Sequence, residues 1–134
     1  MDDAERTRQG MTVRRAVLGD EHVDRAGLHK TPATAGFQDL VGRVAWGEIW
    51  TRPGLDARTR SCITVAMLAA QGNEHELALH VRAALRNGVS VDELKEILLQ
   101  VAVYAGVPRA NRAFSIARDV IEADAATRPA ADPT

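Results

Sequence analysis

The stretch SVDELKEILLQVAVYAG, from Ser90 to Gly106, shows most plainly which kind of fold this chain adopts. It opens with a capping box, in which Ser90 caps the first turn of a helix and Glu93 reaches back to its start. Apolar residues then recur at helical spacing until Gly106 ends the pattern. The stretch therefore predicts an amphipathic helix whose apolar positions are Leu94, Ile97, Leu98, Val101, Ala102 and Ala105.

This helix is apolar on more than one face, since Leu99 and Val103 extend the apolar stripe almost around it. A small domain has little interior with which to cover such a helix. Burial by a second subunit is the expected solution, so the sequence predicts a homo-oligomer.

The rest of the chain also has the pattern of helices, because no segment alternates apolar and polar residues for long. We expect an all-α fold of about six helices in one domain over residues 1–124, with a disordered tail over 125–134. The segment Cys62–Ala70 is apolar nearly all round and is expected to be buried. The predicted helices cover about 5–17, 34–50, 57–71, 74–87, 91–105 and 108–123, with a short turn after Asp20 and a loop over 27–35.

Composition excludes several classes of function. The 134 residues carry a formal net charge of -1, and no basic stretch interleaved with aromatic residues points to nucleic acid. No apolar run is long enough to span a membrane, and the acidic start does not look like a secretory signal, so a cytoplasmic location is expected. Cys62 is the only cysteine, which excludes an internal disulfide, a CxxC redox pair and a thiolate zinc site within one chain.

The segment AWGEIWTRPGLDARTRS, from Ala45 to Ser61, concentrates both tryptophans and three arginines. On a helix Trp46 and Trp50 share a face, one turn apart. Arg58 and Arg60 fall at the start of the next helix, where the helix dipole disfavours cations but free backbone N–H groups favour an anion. The segment is typical of an anion site; pairing of the arginines with acidic neighbours and ordinary packing of the tryptophans are the alternatives.

A second candidate lies in NEHELALH, from Asn73 to His80. Glu76 and His80 are spaced i, i+4, so they share a helix face beside the apolar stripe, where the carboxylate can set the tautomer of the imidazole. A simple surface pair is the alternative. A metal site is disfavoured because one Glu and one His supply only two ligands. Tyr104 suits either a core position or a pocket wall.

Three segments carry a resemblance to a known family: VRRAVLGDEHVDRA (13–26), AWGEIWTRPGLDARTRS (45–61) and ELALHVRAALRNGVSVDELKEILLQVAVYAGVPRAN (76–111). The chain resembles the 4-carboxymuconolactone decarboxylase family from about Arg8 to Val120. The resemblance implies an all-α fold of the alkylhydroperoxidase D-like type, assembled as a hexamer or trimer. It also implies decarboxylation of γ-carboxymuconolactone to β-ketoadipate enol-lactone, without cofactor or metal, in protocatechuate catabolism.

Peroxidase-type members of the same superfamily carry a CxxC pair followed by a histidine. When His80 is matched to that histidine, Asn73 and Glu76 stand where the two cysteines would be. The dithiol is absent, so the resemblance favours the decarboxylase branch.

The resemblance also implies which residues bind a dicarboxylate lactone substrate and which act in catalysis. His80, oriented by Glu76, is expected to donate the proton or to stabilise the enolate. Two alternative functions remain. The protein acts on another small carboxylated lactone or oxo-acid, or it is a non-catalytic oligomer that binds a metabolite. The expected substrate-binding residues are Arg58 or Arg60 with Arg43 or Arg52 for the carboxylates, Trp46 and Trp50 as an apolar wall, Glu48 against the departing carboxylate or an arginine, and Tyr104.

Overall fold

The structure is a computed structural model that describes residues 1–127, and these residues form helices and no strand. The described backbone divides into two compact units, residues 1–60 and the residues from 61 onward, with the boundary inside one helix. The helices are α1 (Asp3–Leu18), α2 (Asp20–Leu28), α3 (Pro32–Leu40), a π-helix (Val41–Ile49), α4 (Ala57–Gln71), α5 (Glu74–Arg86), α6 (Val91–Ala105) and α7 (Val107–Thr127). The all-α class is confirmed, but residues 1–127 form seven α-helices and a π-helix instead of about six helices, since α2 replaces the predicted turn after Asp20 and the predicted helix over 34–50 divides into α3 and the π-helix.

In the N-terminal unit, α1 packs along the π-helix, and α3 and α2 flank this pair. The contact depends on glycine. A Cβ added to Gly10 would lie 2.5 Å from the backbone N of Gly47 and 2.7 Å from the backbone O of Gly42. Since no side chain fits between them, the two backbones meet directly.

The predicted helix over 34–50 is wrong in its geometry, because the α-helix changes to a π-helix at Val41. The Trp50 N–H, for example, donates to the Ala45 carbonyl five residues earlier, at 2.9 Å. The wider turn places Gly42 and Gly47, also five residues apart, at the same contact with α1. Local sequence pattern favours an α-helix here, and tertiary contact with α1 favours the wider one.

The predicted loop over 27–35 is also wrong for most of its length. Helix α2 continues to Leu28, and α3 already begins at Pro32. Proline is favoured in the first turn of a helix because its missing N–H needs no partner there. The backbone N–H of Thr31 donates to the Thr34 hydroxyl at 2.9 Å, which helps to fix this start.

In the C-terminal unit, α5 and α6 both pack against α7. Gly106, with φ of 103°, ends α6, and Ser90 and Glu93 exchange the predicted pair of capping hydrogen bonds, each 3.0 Å long. The capping box is therefore confirmed. The core of this unit consists of Val65, Ala69, Leu77, Val81, Ala84, Leu85, Val89, Leu94, Leu98, Val101, Ala113, Ala117 and Val120.

The expected burial of the whole segment Cys62–Ala70 is wrong. Val65 and Ala69 are buried one turn apart, but Ile63 is exposed and Met67 is 52% exposed. Side chains on the opposite face of α4 cannot reach the same core. Helix α6 divides in the same way, as Leu98 is buried and Val103 is exposed.

Helix α7 runs to Thr127, and residues 128–134 of the expected tail lie outside the described residues. The single domain over 1–124 and the disordered tail stay predictions. Within residues 1–127 we find no helix with the length and apolar character required to cross a membrane.

Candidate active site

The two tryptophans of the N-terminal unit form a stacked pair. Their ring centroids are 5.0 Å apart and their planes differ by 22°. Trp46 is buried, with 6% of its surface exposed, and Trp50 is half-buried. The prediction that they share one helix face is confirmed. Trp46 lies in the π-helix and Trp50 is its C-cap residue. Helical turns of the π type are found frequently at functional sites.

Three arginines follow the π-helix: Arg52 lies in the turn, and Arg58 and Arg60 lie at the start of α4. The Arg60 guanidinium, half-buried, donates from Nη2 to the Arg52 carbonyl at 3.2 Å. Asp56 caps α4 and accepts from the Thr59 N–H at 2.7 Å. Hydrogen bonds from the side chain and backbone of Thr59, with the charge of Arg58, lower the pKa of Asp56. The carboxylate of Asp56 thus lies close enough to Arg58 for their charges to interact.

Arg43 and Glu48 lie on the π-helix itself. Arg43 is half-buried, three positions before Trp46, whereas Glu48 is exposed. Arg43 is therefore the member of the pair with less access to solvent.

Sequence reasoning missed Arg14, on α1. Its side chain is half-buried, and its Nε atom is buried without a hydrogen-bond partner among the described residues. Burial lowers the pKa of Arg14, and the neighbouring charge of Arg15 adds to the effect. A signal was present in the sequence, because no acidic residue stands three or four positions from Arg14. The N-terminal unit thus holds a partly desolvated cation that an anion would stabilise.

In the C-terminal unit, α5 carries the predicted proton donor. His80 is half-buried with its Nδ1 atom buried, between the core positions Leu77 and Val81. Glu76 lies one turn earlier and is exposed. This placement agrees with the expected position of the histidine at the edge of the core. A half-buried imidazole can meet a ligand while its orientation is held by the helix.

Tyr104, at the end of α6, is 82% exposed. It does not occupy a core position of the C-terminal unit. Val103 and Val107 beside it are also exposed, so these residues form an apolar surface at the junction of α6 and α7.

The predicted site residues divide between the two units: seven lie in residues 43–60, and Glu76, His80 and Tyr104 lie in the C-terminal unit. That they meet in one pocket stays a prediction. Within residues 1–127, no three His, Cys, Asp or Glu side chains are grouped so that they could hold a metal ion.

Comparison with known proteins decides the family. The model of the carboxymuconolactone decarboxylase family matches residues 35–119, which include the stacked tryptophans, the arginine turn and His80. The chain belongs to this family. The match begins within α3 and ends within α7, so it extends over both units of the fold.

Relatives within the family act on more than one acid. The chain is 46% identical over 122 residues to a 4-carboxymuconolactone decarboxylase of Acinetobacter baylyi, covering 91% of each chain. It is 41% identical over 113 residues to a nitrosuccinic acid decarboxylase of Metarhizium robertsii, covering 84% of this chain and 79% of the relative. A 48-residue 4-carboxymuconolactone decarboxylase sequence of Pseudomonas putida is 46% identical over its whole length, or 36% of this chain.

Proposed function

We propose that this protein is a carboxy-lyase that converts 4-carboxymuconolactone to β-ketoadipate enol-lactone and CO₂ in aromatic catabolism. The observation that carries the proposal is the 46% identity to the Acinetobacter baylyi enzyme over 91% of both chains. The chemistry of the substrate and the side chains of the two units are consistent with it.

The substrate can serve as its own electron sink. When the carbon–carbon bond to the ring carboxylate breaks, its electron pair moves through the ring double bond onto the lactone carbonyl oxygen. The resulting dienolate takes a proton on the carbon next to that carbonyl, which gives the enol-lactone. The protein then has three tasks: to hold the retained carboxylate, to stabilise the dienolate oxygen and to deliver the proton.

We assign the proton to His80. It is half-buried on α5, where the helix fixes its position and solvent still reaches part of the ring. Glu76, one turn earlier, is proposed to orient the imidazole. General acid catalysis by such a group contributes typically about 10²–10⁴-fold in rate.

We assign the retained carboxylate to the arginines of the N-terminal unit. Arg58 and Arg60 are half-buried at the start of α4, and Arg43 or Arg52 would complete the anion site. Arg14 joins these candidates because its guanidinium is partly desolvated. A guanidinium binds a carboxylate through two parallel hydrogen bonds, which fixes orientation as well as position.

The stacked pair Trp46 and Trp50 is proposed to form the apolar wall beside the departing carboxylate, where low polarity favours the charge-dispersed transition state over the ground state. Glu48 would repel that carboxylate or hold an arginine. The surface formed by Val103, Tyr104 and Val107 is proposed as a subunit contact of a hexamer or trimer, with Tyr104 at the pocket wall. A cytoplasmic location belongs to the same proposal.

Decarboxylation of nitrosuccinic acid is the second candidate, favoured by the 41% identity to the Metarhizium robertsii enzyme. The two acids share the features that decarboxylation requires, since each carries two carboxylates and a group that can accept an electron pair. In nitrosuccinate that group is the nitro group. The arginines and His80 would have the same tasks, so substrate trials must separate the two functions.

The test is to follow CO₂ release and ultraviolet absorbance with each acid in turn, with chelator present throughout. His80→Ala is compared with wild type and with His75→Ala, a matched control that removes an exposed histidine from the same helix. We expect wild type to prefer 4-carboxymuconolactone, His80→Ala to lose about 10²–10⁴-fold in kcat, and His75→Ala to keep its rate.

The outcomes distinguish activity from mechanism. Turnover of the lactone that survives in folded His80→Ala would keep the function and refute the assigned proton donor. Preference for nitrosuccinate would replace the substrate. Ligand binding without CO₂ release from either acid would support a metabolite-binding oligomer instead.

A further inference from the structure

A cleft of about 190 Å³ lies in the C-terminal unit, between the end of α4, the first turn of α5 and the first half of α7. None of its lining residues belongs to the set assigned to decarboxylation. Three of them are charged: Glu74, Arg109 and Arg112.

The charges do not balance. Arg112 donates to Glu74 from Nε at 2.5 Å and from Nη2 at 3.3 Å, a two-point ion pair. This pair, together with the charge of Arg109, lowers the pKa of Glu74, so this side chain is a carboxylate at neutral pH. One carboxylate therefore faces two guanidinium groups, and the cleft keeps one positive charge in excess.

Gly72 makes room for the second arginine. Its φ of +73° ends α4, and a Cβ at this position would overlap the Nη1 atom of Arg109. The guanidinium of Arg109 therefore lies against bare backbone at the edge of the cleft. A larger residue at position 72 would displace it.

The remaining wall is mostly apolar. The side chains that supply it belong to Ala69, Leu77, Pro108, Ala113 and Ile116. An inorganic anion such as phosphate would meet the arginines but leave this wall uncovered. An acid with a hydrocarbon body satisfies both parts, since its carboxylate meets a planar guanidinium and its chain covers apolar surface.

We propose that this cleft is a second ligand site, which binds a small carboxylic acid with an apolar body. Arg109 holds the carboxylate, and Glu74 limits the affinity because it competes for the same cations. Pro108 and Ile116 contact the hydrocarbon chain. The site is independent of His80 and of the proposed decarboxylation.

Hexanoate is the probe, because it carries one negative charge and a short alkyl chain. Its binding to the full-length protein is measured by saturation-transfer difference NMR at fixed ionic strength. Acetate tests the charge without the chain, and hexylammonium tests the chain with the opposite charge. We expect hexanoate to bind at least about tenfold more tightly than either.

Three variants locate the site. Arg109→Gln should weaken hexanoate binding about tenfold, because it removes the cation that meets the carboxylate. Glu74→Gln should tighten it several-fold, since a competing carboxylate is lost. Arg82→Gln, at an exposed arginine on α5 outside the cleft, is the matched control and should bind as wild type does.

Arg109→Gln and Glu74→Gln are expected to change the affinity for hexanoate in opposite directions, which makes the result specific to the cleft. Hexanoate binding that is unchanged in Arg109→Gln would place the acid elsewhere and overturn the proposal, as would equal binding of hexylammonium. The readout is binding rather than turnover, so failure of the decarboxylase proposal would leave this test intact.

Discussion

In the N-terminal unit two helices meet backbone to backbone at Gly10 and Gly47, whereas in the C-terminal unit α5, α6 and α7 meet through Leu, Val and Ala side chains. The first contact is set by the absence of side chains and the second by their volume. The two kinds of packing respond differently to substitution: added atoms have no room in the first, and removed atoms leave a cavity in the second.

The two units also differ in the backbone that holds their candidate site residues. The N-terminal unit combines its tight contact with a π-helix that contains Arg43 and Trp46 and is followed by Trp50, the second ring of the stack. The C-terminal unit presents His80 from a regular α-helix whose other face is buried. Irregular backbone thus holds Arg43 and Trp46, whereas Arg58, Arg60 and the proposed proton donor lie on regular α-helices.

The largest effect is expected in the C-terminal core. Leu94→Ala removes a fully buried side chain and should lower the free energy of unfolding by about 2–5 kcal/mol, through lost burial and a residual cavity. Urea unfolding followed by circular dichroism measures the change. Gln100→Ala, on the exposed face of the same helix, should stay within about 0.5 kcal/mol of wild type. A loss below about 1 kcal/mol in Leu94→Ala would show that this core repacks easily.

The second-largest effect on stability is expected at the glycine contact between α1 and the π-helix. Gly10→Ala places a Cβ against the backbone of Gly47, which should cost about 1–3 kcal/mol of stability and displace the π-helix together with Trp46 and the adjacent Trp50. Because Trp46 and Trp50 are the only tryptophans, their fluorescence reports on this unit alone. Gly36→Ala, where a Cβ would meet nothing within 4 Å, is the control and should be neutral or slightly stabilising. Equal behaviour of the two variants would refute the tight contact.

The smallest effect is expected for the stability of the protein at acid pH. The ion pair with Arg112 lowers the pKa of Glu74 below its ordinary value of 4.5, so the pair stabilises the folded state above that value. Its contribution is lost as the pH falls from about 4.5 through the lower folded-state pKa. The difference in unfolding free energy between wild type and Glu74→Gln should therefore shrink between pH 6 and acid. A difference that is the same at both ends would show that the pair contributes no pH-dependent stability.

Much of the fold could be predicted from local signals. Ser90 with Glu93, Asp56, Gly72 and Gly106 mark helix ends through their own chemistry, and the structure places a helix boundary at each. The π-helix could not be predicted, because its wider turn depends on contact with α1, which lies some 30 residues away in the sequence. The exposure of Met67 was missed for a similar reason, since composition alone does not say which face of a helix meets the core.

The candidate site shows the same division. Spacing alone placed Trp46 and Trp50 on one face, and the structure confirms it with a ring stack. For Arg14 the sequence offers only a weak signal, the lack of an acidic residue three or four positions away. Arg109 and Arg112 could not be recognised from the sequence, because their neighbours Gly72 and Glu74 lie far along the chain.

By itself, the sequence determined the helical class, the helix ends that carry caps or glycines, and the family, because caps, periodicity and residue identity act over a few positions or are read directly. Only the tertiary structure decided where α-helix changes to π-helix, which apolar faces are covered and which cations lack a neutralising neighbour. Those properties depend on residues far apart in the chain, such as Glu74 and Arg112, which come together only when the helices pack.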